Sequence, residues 1–257
     1  MVDVLVCIKR VPDVSGEITL TEDGRAVDDR YLGHTVSSHE ECAVELAVQV
    51  ANATGGSATA LTLGAAEAVE QLRDALAVGC SAAVLVEAEA DRYGPAAVAA
   101  AIADVVRRKE ADGTPYDLVL LGNDAADTGD FQVGVRLAYR LGRPVLTGIS
   151  TCAVQDVTLH AEGAGPDGTE VFEVALPAVV AVQEGGVAPR YPSITGRMKA
   201  KRTTVETVTP TAEPAGSGRV RYTLPPPQPS TVQVLGEGPD AAPAVVDLLF
   251  ELGVVSR

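Results

Sequence analysis

The sequence predicts an α/β fold built on a parallel sheet, and three observations predict it. Short continuous apolar runs at residues 4–8, 58–63, 83–86 and 118–121 have strand length and lack the alternation of a half-solvated strand. Stretches with helical apolar spacing separate them, so strand and helix alternate along the chain, which implies right-handed crossovers. Aromatic residues make up only 4% of the chain and Trp is absent. The interior must therefore be Val, Leu, Ile and Ala, which suits a sheet covered on both faces by Ala-rich helices.

Each element has its own local warrant. The run at 4–8 is a buried first strand, and residues 9–32 are polar with turn chemistry at Pro12-Asp13, Ser15-Gly16 and Asp23-Gly24. Ser38-x-x-Glu41 has the form of a capping box, and the helix after it carries Cys42, Leu46 and Val50 on one face before Gly55-Gly56. The second strand is 58–63. A helix over 66–78 presents Val69, Leu72 and Leu76 and stops at Gly79. The third strand is 83–86, and Gly94-Pro95 opens an Ala-rich helix with Pro at its first position. The fourth strand, 118–121, leads through a loop into a helix with Val133, Leu137 and Leu141 that ends at Gly142.

After Pro144 the pattern changes. Residues 151–160 and 169–176 are expected as two antiparallel strands joined by a turn, and 178–182 as a further strand. Beyond Arg202 the chain becomes linker-like, with Pro-Ala-Gly-Ser-Gly and Pro-Pro-Pro-Gln-Pro, and a short helix over 242–252 closes it. A tail without a core of its own is expected to embrace a partner subunit.

Charge bounds the function. The net charge is −15, yet residues 184–202 hold five cations against one acid. That segment is therefore +4 and the remainder −19, which repels a phosphate backbone and excludes general nucleic-acid binding. The segment mixes Arg190, Arg197, Lys199, Lys201 and Arg202 with Tyr191, Ile194 and Met198, the composition of a docking element. No apolar run reaches membrane-spanning length, and the N-terminus lacks a basic n-region and cleavage site, so a cytoplasmic location is expected. Cys7, Cys42, Cys80 and Cys152 form no Cys-x-x-Cys pair and no zinc-like spacing with His, the pattern of reduced, packed thiols. Neither a nucleophile elbow nor a Walker loop occurs, and His34, His39 and His160 are scattered, which leaves a hydrolase or kinase without support.

Two glycine-rich stretches need separating. Gly163-Ala-Gly165-Pro-Asp-Gly168 fits the dinucleotide template, but it lies between two strands and Pro166-Asp167-Gly168 makes a turn, so it is a hairpin. The loop from Gly122 to Gly134 instead follows the fourth strand and ends at a helix N-terminus, where free N–H groups near Phe131 can hold a phosphate. Position alone fits an ordinary strand–helix loop equally well, with Asp124, Asp127 and Asp130 as turn and cap residues. Three acids favour a monophosphate over a triphosphate. Ser37-Ser38-His39-Glu40 approaches the same edge, with helix capping as its plain role.

These pieces together resemble the β subunit of electron-transfer flavoprotein. The similarity lies in Val-Leu-Val-Cys-Ile-Lys9-Arg10-Val11-Pro12-Asp13, in Leu72-Arg73-Asp74-Ala75-Leu76-Ala77-Val78-Gly79, in Asp117 through Gly122 with its loop, and in Arg190-Tyr191-Pro192-Ser193 through Met198-Lys199-Ala200-Lys201. The resemblance covers nearly the whole chain. It implies a Rossmann-like parallel sheet of the adenine-nucleotide α-hydrolase-like group, with an added antiparallel hairpin and an extended C-terminal arm.

The resemblance further implies an electron-carrier subunit without its own catalytic site. Its α partner would hold one FAD, and the β subunit would bury an AMP. Electrons would come from an acyl-CoA or related dehydrogenase and pass to a membrane quinone reductase. Transferred to this chain, the nucleotide pocket comprises Cys7, Ser37, Ser38, His39, Glu40, Leu63, Gly122, Asn123, Asp124, Ala125, Ala126, Asp127, Thr128, Gly129, Asp130, Phe131, Gln132 and Val133. The docking residues are Arg190, Tyr191, Ile194, Arg197, Met198 and Lys199, with Ile194 as the apolar anchor. The implied organisation is an α/β nucleotide-binding domain over 1–183, a recognition loop and docking segment over 184–202, and an extended arm with a short helix over 203–257 that packs on the partner subunit. The chain departs from the family where Asn-Pro-Phe becomes Ser37-Ser38-His39, where Asp-Asp-Asp becomes Asp127-Thr128-Gly129, and where Gln-Thr-Gly becomes Gln132-Val133-Gly134. It departs again where Asn-Glu-Pro-Arg becomes Val187-Ala188-Pro189-Arg190, and where Leu at the anchor becomes Ile194. A flavin-bifurcating relative with a second FAD in the β pocket, and a nucleotide-sensing signalling module, stay open as alternatives.

Overall fold

A computed structural model describes residues 1–13, 18–226 and 232–255. The turn signal at Ser15-Gly16 and part of the proline-rich stretch, residues 227–231, lie outside the described residues. The chain forms two compact units, residues 1–222 and 223–257.

The first unit contains β1 (Val4–Cys7), β2 (Val11–Pro12), β3 (His34–Thr35), α1 (Ser38–Thr54), β4 (Ala58–Gly64), α2 (Val69–Val78), β5 (Ala82–Glu87), α3 (Pro95–Ala111) and β6 (Leu118–Gly122). It continues with α4 (Val133–Leu141), β7 (Val145–Gln155), β8 (Thr158–Gly165), β9 (Gly168–Ala175), β10 (Ala178–Val182), α5 (Ile194–Arg202) and β11 (Val205–Val208). The second unit contains α6 (Ala242–Glu251), none of whose residues is buried.

Nine strands form one sheet in the order β11-β5-β4-β1-β6-β10-β7-β8-β9. Every pairing from β11 to β7 is parallel, and β7-β8-β9 is an antiparallel meander. Strand side chains alternate between two cores, as the period of two requires. Val4, Val6, Leu118, Leu120 and Val180 meet α1 and α2 on one face. Leu5, Cys7, Val119, Leu121 and Val179 meet α3 and α4 on the other. The strands expected to be fully apolar are buried on both faces because helices cover both.

Four local expectations are corrected. The capping box is Ser37–Glu40, not Ser38–Glu41: the Ser37 hydroxyl accepts from the Glu40 N–H at 3.3 Å, and Glu40 Oε2 accepts from the Ser37 N–H at 3.0 Å. Both frames satisfy the spacing, and the one chosen buries Glu40 and leaves Glu41 exposed. Residues 151–160 are not one strand. Asp156, with φ 54°, turns the chain between β7 and β8, a left-handed conformation that Asp tolerates without glycine. The linker-like segment past Arg202 first forms β11, which pairs with β5 from Val205 opposite Ala83. Finally, the segment expected as a recognition loop is helical over Ile194–Arg202: Ser193 caps α5 by accepting from the Gly196 N–H at 3.0 Å. The hairpin reading of the second glycine stretch is correct, with Gly165 paired opposite Gly168 between β8 and β9.

Candidate functional site

Chain order puts β4 and β5 on one side of β1 and β6 on the other, so the order of strand addition reverses between the parallel neighbours β1 and β6. Crossover helices diverge at such a point and leave a crevice at the carboxyl ends of the strands. A cleft of about 1200 Å³, its open mouth included, lies there. Its floor is Cys7, Leu61, Leu63, Leu121 and Gly122, and its walls are the first turns of α3 and α4 and the loop after β6.

Both helix N-termini lack a side-chain cap, at Gly94 for α3 and Gln132 for α4. Pro95 carries no N–H and the Ala97 N–H donates to the Gly94 carbonyl at 3.0 Å, so the first-turn N–H groups that face the cleft are those of α4, at Val133, Gly134 and Val135. Free N–H groups and the helix dipole favour an anion there. Gly122 must be glycine, because a Cβ would stand 2.8 Å from Glu40 Cγ.

Two of the three acids in the loop after β6 are ion-paired, while Asp124 there and Asp91 on the opposite wall make no ion pair among the described residues. Asp127 pairs with Lys9 at 2.7 Å. Asp130 takes a two-pronged contact from Arg219 at 2.9 and 3.1 Å, while Arg219 also donates to the Thr128 carbonyl at 2.7 Å. Burial pushes the Asp130 carboxyl up, but the contacts headed by Arg219 hold it below its ordinary value. Asp124 keeps a buried Oδ1 without a hydrogen-bond partner among the described residues, an acceptor suited to a hydroxyl or amino group of a bound molecule.

Glu40 lines the cleft beneath Gly122. Burial pushes its carboxyl up to about 7, partly offset by the hydrogen bonds from Ser37. Cys7 is pushed up to about 12 by burial and by Glu40, so it is an apolar wall rather than a nucleophile. Among the described residues no cluster of His, Cys, Asp and Glu fits a metal.

A strap from the end of the first unit covers the opening. The Ala215 carbonyl accepts from the Gly94 N–H at 2.7 Å, the Ala212 carbonyl from the Tyr93 hydroxyl at 3.2 Å, and the Gly24 carbonyl from the Tyr222 N–H at 2.6 Å. Ser217, Arg219 and Tyr222 thereby line the cleft.

Of the eighteen pocket residues taken from sequence, Cys7, Glu40, Leu63, Gly122, Asn123, Asp124, Ala125, Thr128, Asp130, Phe131 and Val133 line the cleft. Ser37, Ser38, His39, Ala126, Asp127, Gly129 and Gln132 do not. Ser37 is the helix cap. Ser38 Oγ bonds Glu184, and His39 Nδ1 accepts from the Glu184 N–H at 3.1 Å, which ties both to the loop after β10. Lys9, Tyr93, Arg219 and Tyr222 were missed as cleft residues. Lys9 follows an apolar strand directly, which is a usable signal, whereas Arg219 sits in a Gly-Ser-Gly stretch that reads as linker.

The segment expected to dock is mounted rather than loose. Glu45, 5% exposed, accepts from Arg190 Nε at 2.6 Å and Nη2 at 2.7 Å, and from Gln49 Nε2 at 2.7 Å. Arg73 donates to the Ala200 carbonyl at 2.6 Å, and Gly196 lies so close to α2 that a Cβ would stand 2.2 Å from the Ala77 carbonyl oxygen. On this base Tyr191 is 96% exposed, Ile194 80% and Met198 53%. An apolar surface held open on a rigid base is the form of an interface hot spot.

The sequence pattern of the Electron transfer flavoprotein domain matches residues 25–213. The chain is 34% identical to the electron transfer flavoprotein subunit beta of Bacillus subtilis over 255 residues, covering 96% of this chain and 97% of that one. It is 33% identical to the Homo sapiens protein of the same description over 211 residues, covering 80% and 81%. For the Syntrophomonas wolfei protein the figures are 31% over 237 residues, 91% and 90%. With the parallel sheet, the switch-point cleft and this similarity along most of its length, the chain belongs to the electron-transfer flavoprotein family as a β subunit.

Proposed function

We propose that this chain is the electron-carrier β half of a heterodimer whose α subunit holds most of the contact to one FAD, and that the switch-point cleft binds AMP. Bound FAD supplies the redox chemistry. This chain shields the flavin, is stiffened by its nucleotide, and presents Ile194 with Tyr191 and Met198 to an acyl-CoA or related dehydrogenase. A quinone reductase is the onward acceptor.

The observation that carries the reading is the charge balance of the cleft. Its two cations, Lys9 and Arg219, are each engaged by an aspartate, which leaves the uncapped start of α4 as the main anion donor. That inventory suits one phosphate and not the longer run of a dinucleotide. The partnerless Asp124 Oδ1 is available to a ribose hydroxyl.

Co-purification with the α chain and chromatography of the extracted ligands tests this. One FAD and one AMP per heterodimer are expected. Two flavins per heterodimer would replace the AMP assignment with the bifurcating arrangement, and a stable lone subunit with no flavin partner would overturn the carrier role.

A further inference from the structure

A second cleft, away from the nucleotide site, lies between α1, α2 and the segment leading into α5. Its polar residues include Glu41, Gln71 and Asp74, and Val44, Ala75 and Val78 form part of its apolar wall. Gln71 is 4% exposed. Its Nε2 donates to the His34 carbonyl at 3.4 Å, which fixes the amide orientation and leaves Oε1 buried without a hydrogen-bond partner among the described residues. Glu41 and Asp74 make no side-chain hydrogen bond or ion pair among the described residues. Burial pushes both carboxyl groups above their ordinary range, and Arg197 offsets this only in part at Asp74. Arg190, the other cation there, is committed to Glu45.

Among the described residues the cleft thus sets three side-chain acceptors, Gln71 Oε1, Glu41 and Asp74, against two exposed donors, Arg197 and the Tyr191 hydroxyl. A buried acceptor without a partner is costly, and that cost falls on Gln71 Oε1, while Glu41 and Asp74 stand exposed at the rim and give it negative charge. A long cationic side chain suits both features, because its methylene stem packs on apolar surface while its head only donates.

We propose that this cleft receives an Arg or Lys side chain of the electron-donating partner, its stem against Val44, Ala75 and Val78 and its head at Gln71, Glu41 and Asp74. The cleft is continuous with the docking surface, since Tyr191, Pro192 and Arg197 line it. The docking face is therefore bipolar: the cationic end of α5 at Lys199, Lys201 and Arg202 calls for acids, and the acidic cleft calls for one base. Such a pattern fixes the partner's orientation as well as its affinity.

This inference rests on the docking reading of residues 190–199. The test measures electron uptake by the purified heterodimer from an acyl-CoA dehydrogenase, comparing wild type, Glu41→Gln/Asp74→Asn, Asp74→Lys and Ile194→Ala. The neutral double variant is expected to raise the KM for the carrier about three- to tenfold with kcat and flavin content unchanged, and Asp74→Lys to raise it further. Added n-butylguanidinium should raise the wild-type KM and leave that of the double variant unmoved, while neutral n-butylurea affects neither. A raised KM in Ile194→Ala with none in the acid variants overturns the cleft and leaves docking standing. No change in any variant overturns both. Loss of co-elution with the α chain in the double variant assigns the cleft to that subunit and overturns the proposal.

Discussion

Glu40 shows how one buried side chain sets a pH dependence. Its carboxyl stands at about 7 in the folded chain because burial disfavours the charge. A group raised above its unfolded value contributes fully at low pH, where both states are protonated, and its contribution is lost as pH climbs through the folded value. Stability should therefore fall between about pH 4.5 and 7.5 by on the order of 2–3 kcal/mol from this residue. Glu40→Gln keeps an oxygen to accept from the Ser37 N–H and cannot ionise. Urea titrations of the two proteins should coincide at pH 4, and the variant should be the more stable at pH 8.5; parallel curves at both pH values would refute the assignment. The same residue illustrates what sequence can reveal at this scale. Two serines and two glutamates in a row offered two equivalent caps, and only packing beneath Gly122 distinguishes them.

Elements were legible where burial dictates composition. The four apolar runs and their helices follow from covering a sheet on both faces, and the outcome matches within a residue or two at their ends. Legibility failed where an element has little burial. β11 is four residues, Val-Glu-Thr-Val, only partly covered at the sheet edge, so nothing in its composition separates it from the linker that follows. The turn at Asp156 carries no glycine, which concealed a strand boundary. In α5 the signal was present but its meaning was not. Gly196 weakens a helix on propensity alone, yet it is the residue that lets α5 lie on α2. Gly196→Ala should lift α5, destabilising the chain by about 1–3 kcal/mol and raising the carrier's KM. A urea midpoint and KM both equal to wild type would show that α5 does not depend on this contact.

At the scale of the molecule, a body of −19 displays a +4 face. Electron uptake should accordingly slow as salt rises, because steering acts through the encounter rate. The walls of the switch-point cleft come from both ends of the first unit, and this part of the site was least legible. Lys9 and Arg219 are 210 residues apart, and their roles depend on contacts no local pattern announces. Truncation after Pro210 removes Arg219 and Tyr222 as well as α6. The truncated chain should co-purify with less AMP and form a weaker heterodimer. Unchanged nucleotide content and an unaltered elution profile with the α chain would count against the strap.

The strap also sets a timetable. During synthesis the strands that floor the cleft leave the ribosome long before Arg219 and Tyr222 do, so a nascent chain has a half-built hollow with Asp130 unanswered. The hollow is complete only once that later segment has emerged and folded back along it, so its closing is the last stitch of the first unit rather than its seed.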